Sequence, residues 1–358
     1  MDLYYLAHLV AMANLLNHLY RTAMTNLLVQ QTKFREDSIG LRNEKCRSRF
    51  LIQPKDTGKV CLFFHGFTAA PFQFASLGQI LYQAGYNIMI PLLPGHGRAG
   101  NWDKNNPPPL PLESQIYKDF AIDCLKSAKT LGDEVVVGGL SGGGTLAAWL
   151  SVEKATDITR SLLFAPYLGN SRFVLDLLAT YSKDYVEWKD KAEMDRVGYS
   201  GFPIPATKAI LRMGQEAVNR AQSEPTPPMF ILATELDTAV NNNDHLTLFD
   251  AVRKREPSTW YYRFPKELAI PHAMLIKEEG TQWENLLNVM VKAYLQSDLA
   301  WDDVEEIAYQ MTEGKTFPQV INQLNLADKV SPDMPTMITM IDKRSIVEKR
   351  NPSLWNNN

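Results

Sequence analysis

The feature that most constrains this chain is a five-residue run, Gly139-Leu140-Ser141-Gly142-Gly143, set between EVVV (134–137) and TLAAWL (145–150). The first flank is apolar and β-branched, as a buried strand is, and the second has the composition of a helix. A serine on a sharp strand-to-helix turn is forced into a strained backbone, and the residues two before and two after it must be tiny. Gly139 and Gly143 meet that demand. The turn lifts the hydroxyl clear of the main chain. It also aims the following N–H groups, at a helix N-terminus, toward developing negative charge. A phosphate-cradling loop would also use this much glycine, but the run lacks the lysine of a P-loop and the G-x-G-x-x-G spacing of a dinucleotide site. Ser141 therefore reads as a nucleophile.

Around this turn, from about residue 48 to 298, apolar runs alternate with amphipathic stretches. Strands are expected at 49–53, 59–64, 87–92, 134–137, 161–164, 229–233 and 259–264, and helices at 71–84, 114–131, 145–153, 245–253 and 282–295. The alternation predicts an α/β fold, a doubly wound and mostly parallel sheet with helices on both faces. Residues 168–224 show no strand pattern and read as helical, with Gly198, Gly201, Pro203 and Pro205 as breakers. An insert of that length is a candidate helical cap over the strand ends. Its hydrophobes, among them Phe173, Leu177, Tyr185, Trp188, Phe202 and Ile204, either pack the cap onto the core or line a site for an apolar group.

The expected division is an N-terminal helix and connection (1–47), a catalytic domain (48–298) and a C-terminal extension (299–358). In the extension only the part before residue 330 shows a helical period. Residues 3–20 carry no Asp, Glu, Lys or Arg, yet His8, Asn14, Asn17 and His18 interrupt them, and no basic segment precedes them. A cleaved leader and a membrane-spanning helix are both disfavoured. Leu6, Leu9, Ala13, Leu16, Tyr20, Ala23 and Leu27 instead mark the stripe of a long amphipathic helix. The plainest expectation is that this stripe packs on the protein's own core. Contact of residues 1–30 with a membrane surface and contact with a second copy are the alternatives, and the oligomeric state stays open.

Charge narrows the partners. With 37 Lys and Arg against 40 Asp and Glu, the net charge is −3, so no basic excess exists to neutralise phosphates, and nucleic acid is not an expected partner. Cys46, Cys61 and Cys124 are too few and too scattered for a disulfide framework or a zinc site, and fit a reducing, cytoplasmic setting. No metal or organic cofactor is called for.

A serine hydroxyl needs a base. Of six histidines only His272 follows the last expected strand, in the loop ELAIPHAM, which lies at the same sheet edge as the serine turn. The base needs a carboxylate to fix its tautomer. Strand 229–233 runs into TELDTAV, which offers Asp237, preferred for its D-x-x-V spacing, and Glu235 as the alternative. His65-Gly66-Phe67-Thr68 follows the apolar run KVCLFF, so the Phe67 and Gly142 amides are candidates for an oxyanion hole, with His65 in a structural role.

In this order, HGF, G-x-S-x-G, Asp and His, the chain resembles the α/β-hydrolase superfamily. HGFTAAPFQFASLGQILYQAGYNIMIPLLPGHG is especially similar to bacterial carboxylesterases and monoacylglycerol lipases. The resemblance covers about residues 48–298. It implies hydrolysis of a small-molecule or lipid ester through an acyl-serine intermediate, with Ser141, Asp237 and His272 as the triad. Gly142 stands where many relatives carry a larger apolar residue, which implies a roomier acyl pocket. Acyl transfer by the same triad, and a non-catalytic binding role on a hydrolase fold, stay open at this stage.

Overall fold

A computed structural model describes residues 3–169, 185–188 and 197–350. Its centre is a seven-stranded sheet of β1 (Arg49–Leu51), β2 (Lys59–Phe64), β3 (Asn87–Ile90), β4 (Glu134–Leu140), β5 (Arg160–Phe164), β8 (Met229–Thr234) and β9 (Trp260–Phe264). The spatial order is β1-β3-β2-β4-β5-β8-β9, with β1 antiparallel to its neighbour and every other pairing parallel. The central strands are apolar and buried along nearly their whole length because helices cover both faces. The doubly wound, mostly parallel α/β sheet expected from the sequence is the fold observed.

Several strand bounds moved, among them those of β3 and β4. β3 stops at Ile90, where its pairing with β1 ends, rather than at residue 92. β4 runs on through both of its glycines to Leu140, because β2 and β5 flank it and take up those residues in register: Phe64 opposite Gly139, Leu140 opposite Phe164. The serine turn therefore begins directly at the strand's carboxyl end.

The expectation that residues 168–224 hold no strand is corrected. Tyr185–Glu187 (β6) pairs antiparallel with Gly201–Pro203 (β7), and a helix, Ile204–Arg220, follows. Residues read as helix breakers form a strand because a two-stranded ribbon needs close approach: a Cβ on Gly201 would stand 2.6 Å from the Tyr185 hydroxyl. Phe173 and Leu177 lie outside the described residues. Val186, Tyr199, Phe202, Ile204 and Ala206 bury with Leu110 in a small second cluster, with Trp188 and Phe67 packed against it. For these residues the packing role is the one seen.

A second correction concerns the C-terminal extension. Residues beyond 330, which lack a clear period, form helices at Met334–Met340 and Arg344–Arg350. Both helices are only seven residues long, too short for periodicity to register. Trp301, Val304, Ile307, Val320, Met337 and Ile338 bury in the same core as the sheet.

The N-terminal helix, α1, is 37 residues long (Leu3–Ile39). Its end sits beside the loop after β3, with Ala99 N–H donating to Gly40 O and Arg42 N–H to Gly97 O. Further back, Arg21 pairs with Asp133 and reaches Asp56, the approaches to β4 and β2. The helix thus runs along the sheet from its amino edge to its carboxyl edge, and 3–20 continue past that ion pair for about 27 Å at 1.5 Å per residue. The face laid on the body is mixed: Thr25, Thr32 and Glu36 are buried beside Leu28, which packs on the core, and Glu36 accepts from the Ser48 N–H and hydroxyl. The described members of the stripe expected to pack on the core are turned outward instead, with Leu16 and Tyr20 each 63% exposed and Leu27 45% exposed; Leu6, Leu9 and Ala13 lie outside the described side chains. Among the described residues no helix is long and apolar enough to cross a membrane.

Glu36→Ala would leave a buried Ser48 N–H without its acceptor. The expected cost is about 1–3 kcal/mol, read as a lower urea midpoint; an unchanged midpoint would show that α1 does not dock through this contact.

Candidate active site

Ser141 lies between β4 and the helix α4 (Gly142–Glu153), at φ 54° and ψ −117°. A non-glycine residue there is strained, and the surroundings hold it. Its N–H donates to Phe164 O, and its carbonyl accepts from the N–H groups of Thr145 and Tyr167. The glycines at either side are demanded by backbone contact. A Cβ on Gly139 would lie 2.2 Å from Gly143 O, and one on Gly143 would lie 2.0 Å from Phe64 O and 2.4 Å from His65 O. β2 and the first turn of α4 therefore touch main chain to main chain.

That contact brings the HGF loop to the serine. The Phe67 amide nitrogen is 3.5 Å from where a Cβ on Gly142 would stand, and the Phe67 Cβ is 3.1 Å from it. A Cβ at Gly142 would press on Phe67, which would have to give by a few tenths of an ångström to admit it. Two buried histidines shape the loop. His65 Nε2 accepts from Leu93 N–H while Nδ1 meets Gly66 O, and His96 Nε2 accepts from Thr68 N–H while Nδ1 meets Pro94 O. Burial holds both rings neutral, with His96 pushed down to about 4. His65 is structural, as expected. The role of His96 went unread, although the PGHG stretch flagged it.

Asp237 follows β8 and is wholly buried; His272 follows β9, with 27% of its side chain exposed. His272 Nδ1 is 2.7 Å from Asp237 Oδ2. The other carboxylate oxygen of Asp237 accepts from the Ala239 and Val240 N–H groups. The D-x-x-V spacing thus marks a tight turn that satisfies the acid from its own backbone. The rival acid points elsewhere: Glu235 pairs with Arg263 and accepts from Lys266 N–H at the surface. Burial pushes the Asp237 carboxyl up, but the His272 charge and the hydrogen bonds outweigh it and hold it below the usual value. Burial likewise pushes the His272 imidazole down, while Asp237 and, at greater range, Glu279 push it up; the balance lies above 6.5.

The structure brings these groups to one edge. β4, β5, β8 and β9 are consecutive neighbours, and Ser141, Asp237 and His272 all follow carboxyl ends. Ile270 O accepts from the Thr234 hydroxyl, which folds the His272 loop back over β8. Between them, His245 Nε2 meets Pro166 O, and its ring interacts electrostatically with both Asp237 and His272. Among the described residues no hydrogen bond joins the Ser141 hydroxyl to His272; in unliganded sites such bonds are often long and tighten only with substrate. No group of three His, Cys, Asp or Glu side chains suited to a metal occurs among the described residues.

If the backbone contact at Gly143 holds the site, Gly143→Ala should lower unfolding free energy by about 3–5 kcal/mol, the upper range for single substitutions. A loss below 1 kcal/mol in a denaturant titration would count against it.

No protein-family model matches the sequence, and no curated protein matches it. Solved structures do resemble it. A metagenome-derived lipolytic enzyme superposes with a TM-score of 0.57 at 16% identity, over 70% of this chain and 96% of that one. The Paleococcus ferrophilus monoacylglycerol lipase gives 0.51 at 13%, over 68% and 95%. A soluble variant of Saccharomyces cerevisiae monoglyceride lipase, in complex with a substrate analogue, gives 0.51 at 14%, over 69% and 89%. At such identities the likeness is one of architecture: the chain has the α/β-hydrolase fold.

Proposed function

We propose that this chain is a serine hydrolase of carboxylic esters with an apolar acyl group. The observation that carries the reading is the Asp237–His272 hydrogen bond, placed at the same sheet edge as a serine in a strained turn. With Nδ1–H donated to Asp237, His272 Nε2 is left with a lone pair for the serine proton. Ser141 Oγ attacks the ester carbonyl as His272 takes its proton. The Phe67 and Gly142 N–H groups receive the oxyanion, and losing one such donor typically costs on the order of 10²–10³ in kcat. The imidazolium then protonates the leaving alcohol. Water, deprotonated by His272, releases the acid from the acyl-serine by the same route. Support for an apolar acyl group comes from the site's surroundings: Phe67 stacks edge-on with Phe202 at 5.3 Å, and Ile210 Cγ2 lies 3.6 Å from the Gly142 Cβ position. The likeness to lipolytic enzymes supports an ester as the substrate. Buried free thiols at Cys46, Cys61 and Cys124 support a reducing, cytoplasmic setting.

A fluorophosphonate probe should label the wild type and fail on Ser141→Ala, with p-nitrophenyl ester turnover lost in the same variant. Persistent labelling would end the assignment of Ser141. Asp237→Asn should lower kcat by roughly 10⁴; a near-normal rate would remove Asp237 from the triad. The neutral imidazole is the working base. Because His272 is held above 6.5, the rate should be low at acid pH and rise through a midpoint above that value. A midpoint below 6.5 in a kcat/KM profile would contradict this.

The outward stripe of α1 supports peripheral seating on a lipid surface. Met12, Leu16, Leu19 and Tyr20 are exposed in a segment without a single charge, so its insertion desolvates no ion. Co-sedimentation with phosphatidylcholine vesicles should be lost in a Leu16→Glu, Tyr20→Glu variant. Equal binding by that variant would end the membrane reading.

A further inference from the structure

We propose that Gln73 and Glu279 form a positioning bridge that locks the oxyanion loop to the loop carrying the catalytic histidine; this rests on the hydrolase reading above. Gln73 is buried in the one-turn helix Pro71–Phe74. Its Oε1 accepts from Gly66 N–H at 2.7 Å, and its Nε2 donates to both oxygens of Glu279, at 2.9 and 2.8 Å. The amide can stand only this way round, since an N–H needs an acceptor and a carboxylate needs a donor. Gly66 immediately precedes Phe67, so the bond fixes the His65–Gly66 peptide, the neighbour of the Gly66–Phe67 peptide that carries the Phe67 N–H. Glu279 ends the turn Lys277–Glu279, seven residues past His272. A second bond pair ties the same two segments: Glu284 accepts from the Ser76 hydroxyl and from Lys277 N–H.

The bridge has an electrostatic side as well. The titratable or charged groups facing His272 are Asp237 from the end of β8, Glu279 from its own loop, and His245 from the helix after β8. Burial keeps His245 neutral, at about 4, so Asp237 and Glu279 are the charges that favour the imidazolium. That is the form His272 takes as the oxyanion builds. One side chain thus holds the donor loop through Gln73 while its charge acts on the base. Neither residue touches the reacting atoms; both act through others.

The test uses the full chain. Glu279→Gln removes the charge, keeps one acceptor oxygen for Gln73 Nε2 and turns the other into a donor. The acid limb of kcat/KM should move to lower pH, with Tm within a degree or two of wild type. Gln73→Leu keeps the volume and removes both bonds; kcat should fall about tenfold or more with KM within twofold, as for a displaced oxyanion donor. Should Gln73→Leu fail to fold, the Glu279→Gln profile decides alone. An unmoved acid limb in Glu279→Gln, or an unchanged kcat in Gln73→Leu, would overturn the bridge while Ser141-dependent labelling and turnover of the wild type leave the hydrolase reading standing. A wild type with neither labelling nor turnover would overturn both.

Discussion

The contact on which the site depends is steric, between main chain and main chain. Gly143 lies against the carbonyls of Phe64 and His65, closer than any side chain would allow. Gly139 and Gly143 face each other in the same way across the turn. These approaches hold Ser141 at a positive φ that its Cβ disfavours, and they press the loop after β2 against the first turn of α4. The strain is therefore sustained by packing on both sides, and the same packing brings the Phe67 and Gly142 amides together. One backbone contact thus shapes both the Ser141 turn and the His65–Thr68 loop.

The charges follow a different logic. Asp237 is fully buried, and burial alone would neutralise it. It stays ionised because its backbone turn supplies two N–H donors to one oxygen and His272 takes the other. The imidazole is then held in the tautomer that leaves Nε2 bare. His65, His96 and His245 show the contrary case. Each is buried without a carboxylate partner in hydrogen-bond contact, each meets a backbone carbonyl, and each is kept neutral. Four histidines near one edge thus divide into one paired with a buried carboxylate and three that meet backbone carbonyls.

What could be read in advance depended on how local the cause was. The Ser141 turn and the D-x-x-V turn at Asp237 are set by residues within a few positions, so their spacing survives in the sequence. The strand–helix alternation and the mostly parallel sheet were legible for the same reason, since apolar strands and amphipathic helices carry their own periods. The strut histidine His96 and the Gln73–Glu279 bond join segments tens to hundreds of residues apart, and only the fold puts them in contact. The ribbon of β6 and β7 was hidden because Gly201 and Pro203 disfavour a strand by composition, while a narrow antiparallel pair tolerates both.

The outward face of α1 was misread for an instructive reason. A stripe of Leu and Tyr at heptad-like spacing predicts burial, but the same helix carries a second face with Thr25, Thr32 and Glu36 buried beside Leu28, and there Glu36 finds specific partners. Glu36 satisfies the Ser48 N–H and hydroxyl, and the Ser48 oxygen in turn accepts from Leu92 N–H. A buried N–H left without an acceptor costs about 1–3 kcal/mol, as much as burying a large apolar side chain returns. The helix therefore docks where hydrogen bonds need completing, and its apolar stripe is left over. Because α1 crosses from the amino edge at Arg21 to the carboxyl edge at Gly40, its uncharged first half emerges at the edge opposite the triad. A surface gripped by that half would hold the protein by its back, leaving the serine edge turned toward water. Under the proposed seating the helix would act as a tether, and a substrate of the proposed hydrolase would reach Ser141 from solution.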